Sequence, residues 1–169
     1  MKAFGFARWS GSGKTTLIEQ LIPRMGASGV RVSLVKHAHH NFDVDQPGKD
    51  SYRHRHAGCH EVIVSSEKRW ALMHELRGAP ELSLDQLIER MDPVDLLLVE
   101  GFKRYPQPKL EVFRRDNGKP RLYLDDANIV GVASDERFTT QLPQFELSDY
   151  DGIAHFILDY NGLKCTPRS

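Results

Sequence analysis

The sequence predicts an α/β fold in which a mostly parallel sheet is flanked by helices. Three observations point there. Short β-rich runs alternate with helical patterns along the chain, the order that builds βαβ units. A glycine-rich turn, "WSGSGKTT" at 9–16, separates the first apolar run from the first helical pattern. "DLLLVEG" at 95–101 is a nearly continuous apolar run, as expected of a central parallel strand covered on both faces.

Length and charge bound the function classes. A chain of 169 residues supports one domain with a full core. Lysine plus arginine balance aspartate plus glutamate at 23 each, so no overall field draws the chain to nucleic acid or an anionic membrane. Any polyanion it binds must be held by a local site. Cys59 and Cys165 lie far apart, and the opening MKAFGFA runs straight into the glycine turn rather than into a secretory pattern. A reducing, cytoplasmic compartment is therefore expected. No stretch approaches the roughly 20 apolar residues of a membrane span.

The elements follow in order. Residues 2–7 read as the first strand. From Gly13 onward, Leu17, Ile18, Leu21, Ile22 and Met25 recur at helical spacing and predict a helix with one buried face; Pro23 should kink it or mark its last turn. "VRVSLVKH" (30–37) is a second strand, followed by a polar, histidine-rich loop and a short helix near 50–57. "EVIVSS" and "RWALMHEL" read as successive strands, and "SLDQLIERM" as a helix capped by Ser83. "KLEVFRRDNGKPRLYLDD" reads as two alternating runs joined through Asn117-Gly118, a projecting β-hairpin over 109–124 whose second run opens at Pro120 and lies on an edge. That free edge is expected to pair with a second subunit. "NIVGVASD" (128–135) returns to a buried strand. A closing helix over 149–160 turns Ile153, Phe156, Ile157 and Tyr160 inward. Residues 1–163 are expected to form a single domain and 164–169 a frayed tail.

The glycine turn carries the chemistry. In the P-loop pattern G-x-x-x-x-G-K-[ST], backbone N–H groups and a helix N-terminus cradle phosphates, the lysine neutralises them and the hydroxyl holds magnesium. Gly13, Lys14 and Thr15 fit, and Ser10, Gly11 and Ser12 supply the small-residue bend. The flanking strand and helix supply the context of a P-loop NTPase-like fold. Arg8 stands where the first glycine belongs. Its β-carbon leaves two arrangements: ordinary strand geometry with the guanidinium in solvent, preferred here, or a guanidinium folded over the phosphates. A P-loop also needs an acid near the metal. Glu100 ends the buried strand that Asp95 begins, and a glutamate there can hold metal-bound water or orient the attacking one.

"KHAHHNFDVDQPGKDSYRHRHAGCH" (36–60) holds six of the eight histidines. Such spacing suits zinc or nickel. No C-x-x-C accompanies it, however, and Lys36, Lys49, Arg53 and Arg55 alternate with Asp43, Asp45 and Asp50, a mixture better suited to a large anionic ligand. After the Pro47-Gly48 turn, Lys49 and Asp50 open a helix. Asp50 is a candidate for the magnesium shell and Lys49 for substrate charge.

These stretches carry a resemblance. "WSGSGKTTL", "LVKHAHHNFDVDQPGKDSYRHRHAG", "RWALM", "LLLVEGFK" and "VASD" are similar in content and order to the MobB family, the molybdopterin-guanine dinucleotide biosynthesis adaptor proteins, over nearly the whole chain. "FDVDQPGKDSYR" is the most specific of them. The resemblance implies a homodimeric, GTP-binding P-loop protein with weak GTPase activity. Its family role is to assist the MobA-type guanylyltransferase that joins GMP to molybdopterin, forming the guanine dinucleotide molybdenum cofactor. The family's phosphate loop maps onto Ser10 to Thr16, its acidic strand end onto Glu100, and its His/Asp/Lys segment onto His37 to Asp50. Arg8 departs from the commoner Gly or Ala.

Taken together, Lys14 and Glu100 are the catalytic candidates. Ser10, Gly11, Ser12, Gly13, Lys14, Thr15, Thr16, His37 and Lys49 are expected to contact the nucleotide. Thr15, with Asp50 or Glu100, is expected to hold Mg2+. The NKxD tetrad of ordinary GTPases is absent, and Asp135 at the end of "VASD" is the candidate acceptor for guanine N1 and N2, or else a turn aspartate. Hydrolysis should be slow, because no arginine or glutamine is evident in cis unless Arg8 or a partner supplies one. Two rival readings are a P-loop small-molecule kinase, which should carry an arginine-rich lid, and a GTPase metallochaperone using His39 and His40.

Overall fold

A computed structural model describes residues 1–9, 13–38, 42–102 and 105–163. In chain order the elements are β1 (Lys2–Arg8), α1 (Lys14–Ala27), β2 (Val32–Lys36), α2 (Asp50–His56), β3 (Glu61–Ser65), β4 (Trp70–His74), α3 (Leu84–Ile88), β5 (Leu96–Glu100), β6 (Lys109–Phe113), β7 (Ile129–Ser134), β8 (Gln144–Glu146) and α4 (Tyr150–Tyr160). Two compact units emerge, Met1–His37 with Asp92–Ser169, and Ala38–Met91.

The first unit is a six-stranded sheet in the order β2-β5-β1-β6-β7-β8, parallel at every pairing. β5 lies between β2 and β1, and all five of its residues are buried, which is why its sequence is apolar without alternation. Phe4, Phe6, Leu98, Leu110 and Val112 join Leu17, Ile18, Leu21 and Met25 of α1 and Ile153, Ile157 and Leu158 of α4 in one core. Each such buried side chain contributes about 1.5–3 kcal/mol.

Two inward assignments fail at the margins of these helices. Ile22 is 39% exposed, because the α1 stripe is filled by residues 17, 18, 21 and 25. Tyr160, at the last turn of α4, is half-exposed, with its ring against Phe4 and Phe156. Pro23 sits inside α1 without ending it: the helix runs on to Ala27, and the Ser28 N–H closes its last turn on Arg24.

The hairpin over 109–124 is not formed. Only Lys109–Phe113 is a strand, and it lies between β1 and β7 with all five residues buried, so it has no free edge. Beyond it the chain makes two 3-10 turns, Arg115–Asn117 and Leu122–Leu124. The Asn-Gly pair does mark a turn, with Gly118 left-handed at φ 57°, but it caps the first 3-10 turn. The physical reason lies in Glu111. Its buried carboxylate accepts the N–H groups of Leu122 (2.7 Å) and Tyr123 (2.9 Å), donors that a second strand would have offered to a ladder. Among the described residues the antiparallel hairpin is β3–β4, paired from Glu61↔His74 to Ser65↔Trp70.

That hairpin belongs to the second unit, with α2 and α3. Ser83 and Gln86 close a capping box at the start of α3, and Leu84 is its buried residue. Arg55 of α2 organises the rest: its guanidinium donates to Asp43 (2.8 Å), Asp45 (3.3 Å) and Glu75 (2.5 Å). Among the described residues no helix is long and apolar enough to cross a membrane.

Candidate nucleotide site

Parallel pairing brings the carboxyl ends of all six strands to one edge, where open α/β sheets bind ligands. Arg8, Lys36, Glu100, Phe113, Ser134 and Glu146 end the strands there.

α1 starts from this edge. Gly13 is its N-cap at φ 79°, a left-handed conformation that a residue with a β-carbon would strain. Lys14 follows, 6% exposed, and its Nζ lies 3.0 Å from Glu100 Oε1. Burial lowers the Lys14 pKa from its ordinary value, against the raising effect of the Glu100 hydrogen bond. The charges of Arg8 and Lys36 push it the same way as burial. Arg8 is therefore not the solvent-facing side chain expected of it: it is half-buried and its charge acts on Lys14. Thr15 and Thr16 are exposed in the first turn of α1.

The far side of Glu100 is shaped by His37. The His37 N–H donates to the Glu100 carbonyl at 2.8 Å, and a Cβ on Gly101 would lie 2.6 Å from His37 Cβ. Glycine is thus required after Glu100 twice over, since its φ is also 93°. The His37 ring rests against Phe102, with centroids 5.1 Å apart. Lys14 and Glu100, predicted separately, meet through their side chains, whereas the link of His37 to Glu100 runs through the backbone. The role of Gly101 was not read from the sequence, although glycine directly after a buried strand acid was the available signal.

Asp135 follows β7 and is exposed. Its Oδ1 accepts the Arg115 N–H at 3.0 Å, which ties the chain leaving β6 to the end of β7. Arg114, which sequence reasoning passed over, brings its guanidinium to 3.2 Å from the position of a Cβ on Gly13.

Lys49 and Asp50 belong to the second unit. Lys49 is the extended N-cap of α2, and Asp50 is exposed, 3.9 Å from Arg53. Two acids of the family-specific stretch, Asp43 and Asp45, serve Arg55: its hydrogen bonds hold the Asp43 carboxyl below its ordinary pKa and raise that of Arg55 itself. Arg55 is thereby neutralised and unavailable as the open anion-binding cation expected of this stretch. Ser10, Gly11, Ser12, His39 and His40 lie outside the described residues. Among the described residues no group of three or more His, Cys, Asp or Glu side chains is arranged to hold a metal ion.

Residues 3–135 match the sequence profile of MobB, molybdopterin guanine dinucleotide synthesis protein B. The chain belongs to the MobB family. It is 45% identical over 158 residues to the molybdopterin-guanine dinucleotide biosynthesis adapter protein of Escherichia coli, covering 92% of this chain and 90% of the relative. The adapter protein of Haemophilus influenzae is 41% identical over 155 residues, with 90% and 85% covered. Among solved structures, one of molybdopterin-guanine biosynthesis protein B superposes with a TM-score of 0.75 at 27% identity, covering 94% of this chain and 99% of that one. A MobB homolog from Bacillus stearothermophilus gives 0.72 at 25%, with 96% and 99% covered. The six-stranded parallel sheet of the first unit is the P-loop NTPase-like fold of this MobB family, and the protein is a MobB adapter of molybdopterin guanine dinucleotide biosynthesis.

Proposed function

We propose that this MobB protein binds GTP with Mg2+ at the carboxyl edge of its parallel sheet, hydrolyses it slowly, and assists a MobA-type guanylyltransferase in joining GMP to molybdopterin in the cytoplasm. The observation that carries this reading is the buried Lys14–Glu100 pair beside left-handed Gly13 at the start of α1. A buried ammonium and carboxylate at a helix N-terminus are costly unless each has a task, and phosphate and metal supply both tasks.

The residues present suit the metal by their chemistry. The Thr15 hydroxyl and the Glu100 carboxylate are hard oxygen donors of the kind Mg2+ takes. Bound there, Mg2+ would neutralise charge on the β- and γ-phosphate oxygens. Lys14, released from Glu100, turns to the same oxygens, and the exchange leaves neither buried charge unpaired. Gly13, the left-handed N-cap, and the first turn of α1 through Thr16 are assigned to the phosphates as well. His37, packed on Phe102, bounds the phosphate end. Asp135 offers Oδ2 to guanine N1 or N2 while Oδ1 stays on the Arg115 amide.

Assembly as a homodimer is assigned to β3–β4. Ile63 and Trp70 are each 65% exposed, and Val64 and Leu72 are exposed beside them. A two-stranded ribbon is marginal in water, and an apolar one calls for more strands or a cover, which a second copy of the same ribbon provides with its own symmetry.

Equilibrium titration of GTP and ATP, each with and without Mg2+, against the wild-type chain and Lys14→Ala tests the reading. Magnesium-dependent preference for GTP that is lost in the variant is the expected result. Absence of binding by either nucleotide overturns it.

A further inference from the structure

β6 contributes a second cation to the site. Leu110 and Val112 point into the core shared with α1, and the chain stays extended through Arg114 (φ −130°, ψ 128°). Side chains alternate along an extended chain, so Arg114 continues the stripe of Leu110 and Val112. The Arg8↔Val112 pairing of β1 with β6 fixes where that stripe ends. Arg114 thus emerges on the α1 face one step past the phosphate loop's entry. Its Nη2, Nε and Cζ lie 3.2, 3.5 and 3.8 Å from the position of a Cβ on Gly13, the space that a side chain at the helix N-cap would fill. The residue is exposed, so a ligand can reach it.

Its direction of approach decides its role. β5 and β6 flank β1 on opposite sides. Lys14 reaches toward Glu100 at the end of β5, which marks the metal and γ-phosphate end of the cradle. Arg114 comes from the β6 side, next to the end of β7. The Asp135 carboxylate clamps the following amide, Arg115 N–H, at 3.0 Å, and Trp9 Nε1 donates to the Pro120 carbonyl at 2.7 Å, so the segment after Arg114 is pinned at both places.

We propose that Arg114 is a phosphate-binding residue of this site, gripping the α/β-phosphate end of a nucleoside di- or triphosphate from the side opposite Lys14. The assignment rests on the nucleotide-binding reading above and adds what that reading lacks, a charged group that does not depend on the γ-phosphate. A planar guanidinium gives two parallel donors to phosphate oxygens, which an ammonium cannot match.

The test is calorimetric titration of GTP and of GDP against the wild-type chain, Arg114→Ala, Arg114→Lys and Lys14→Ala, with thermal melts of each. Arg114→Ala is expected to weaken GTP and GDP by the same factor, on the order of tenfold or more for a lost charge-assisted pair, with an unchanged melt. Arg114→Lys should fall between alanine and wild type. Loss confined to GTP overturns the proposal by placing the guanidinium on the γ-phosphate. Wild-type affinity in Arg114→Ala, or weakened binding matched by a lowered melt, overturns it as well. If Arg114→Ala binds normally while Lys14→Ala does not, only this assignment falls; if the wild-type chain binds neither nucleotide, the site reading falls and takes it along.

Discussion

The two units of this protein are held together by different physics. In Met1–His37 with Asp92–Ser169, six strands and two helices close on an apolar core in which Phe4, Leu21, Leu98 and Ile153 are wholly buried. In Ala38–Met91 the buried residues include one leucine, Leu84, and one arginine, Arg55, while Trp70 and Ile63 face outward. The first unit is a rigid frame for the loop, the acid and the strand ends. The second is a charged knot carrying an apolar ribbon, a surface for contact rather than a core.

Substitutions in the frame should have the largest effect. Leu98→Ala empties a fully buried site between β1 and β2 and should cost about 2–5 kcal/mol, lowering the melt of the whole chain. If protection from hydrogen exchange fell only in Ala38–Met91, the frame and knot would have been assigned the wrong way round. Arg55→Met is the counterpart. It strands Asp43, Asp45 and Glu75 against one another, and amide protection should be lost across α2, β3 and β4 while β1, β5 and β6 keep theirs. Uniform loss over both units would erase the contrast.

Smaller effects sharpen it. Glu111→Gln keeps the shape of the β6 side chain but sets an amide NH2 against one of the two N–H groups that the carboxylate accepts, and should cost about 1–3 kcal/mol. Segment 115–124 should loosen, read as faster exchange at Leu122 and Tyr123. Trp70→Ser removes apolar area from the ribbon without touching the Arg55 knot. Sedimentation should then shift from dimer to monomer at micromolar concentration while the melt of the frame holds; an unshifted dimer would remove the ribbon from the interface.

What the sequence disclosed follows the same division. Periodicity located α1, α4 and the buried strand β5 because apolar burial leaves a pattern in the residues themselves. The loop at Gly13 to Thr15 and the acid at Glu100 were legible because each sits at a fixed offset from such a pattern. The second turn of 109–124 was misread because alternation in "RLYLDD" mimics a strand, and nothing local discloses that Glu111, eleven residues earlier, takes the Leu122 amide. Arg8 and Arg114 were obscure for a related reason. Their placement depends on which strands neighbour β1, a long-range fact that β-patterning within one strand does not encode. Asp43 and Asp45 of "FDVDQPGKDSYR" looked like ligand-binding groups because their partner, Arg55, lies beyond the helix start that separates them.

Acid should part the units, in opposite directions. The Arg55 hydrogen bond holds the Asp43 pKa below its ordinary 3.8, so the stability it lends is complete above that value and is lost as pH falls through the lower folded one. Burial holds the Glu111 pKa above its ordinary 4.5, against the two amides it accepts. Its contribution has the other sign, present below that ordinary value and lost as pH rises through the raised one. Lowering pH from above the raised Glu111 value toward its ordinary 4.5 should therefore steady the β6 region slightly and leave the knot as it was. Further acidification should loosen Ala38–Met91 first, while the frame, held mainly by its apolar core, holds longer. Residue-resolved hydrogen exchange across this range reads both trends at once. Parallel decline of Tyr123 and the α2 amides would mean that Glu111 is stabilised as a carboxylate after all, and that the amides it accepts outweigh its burial.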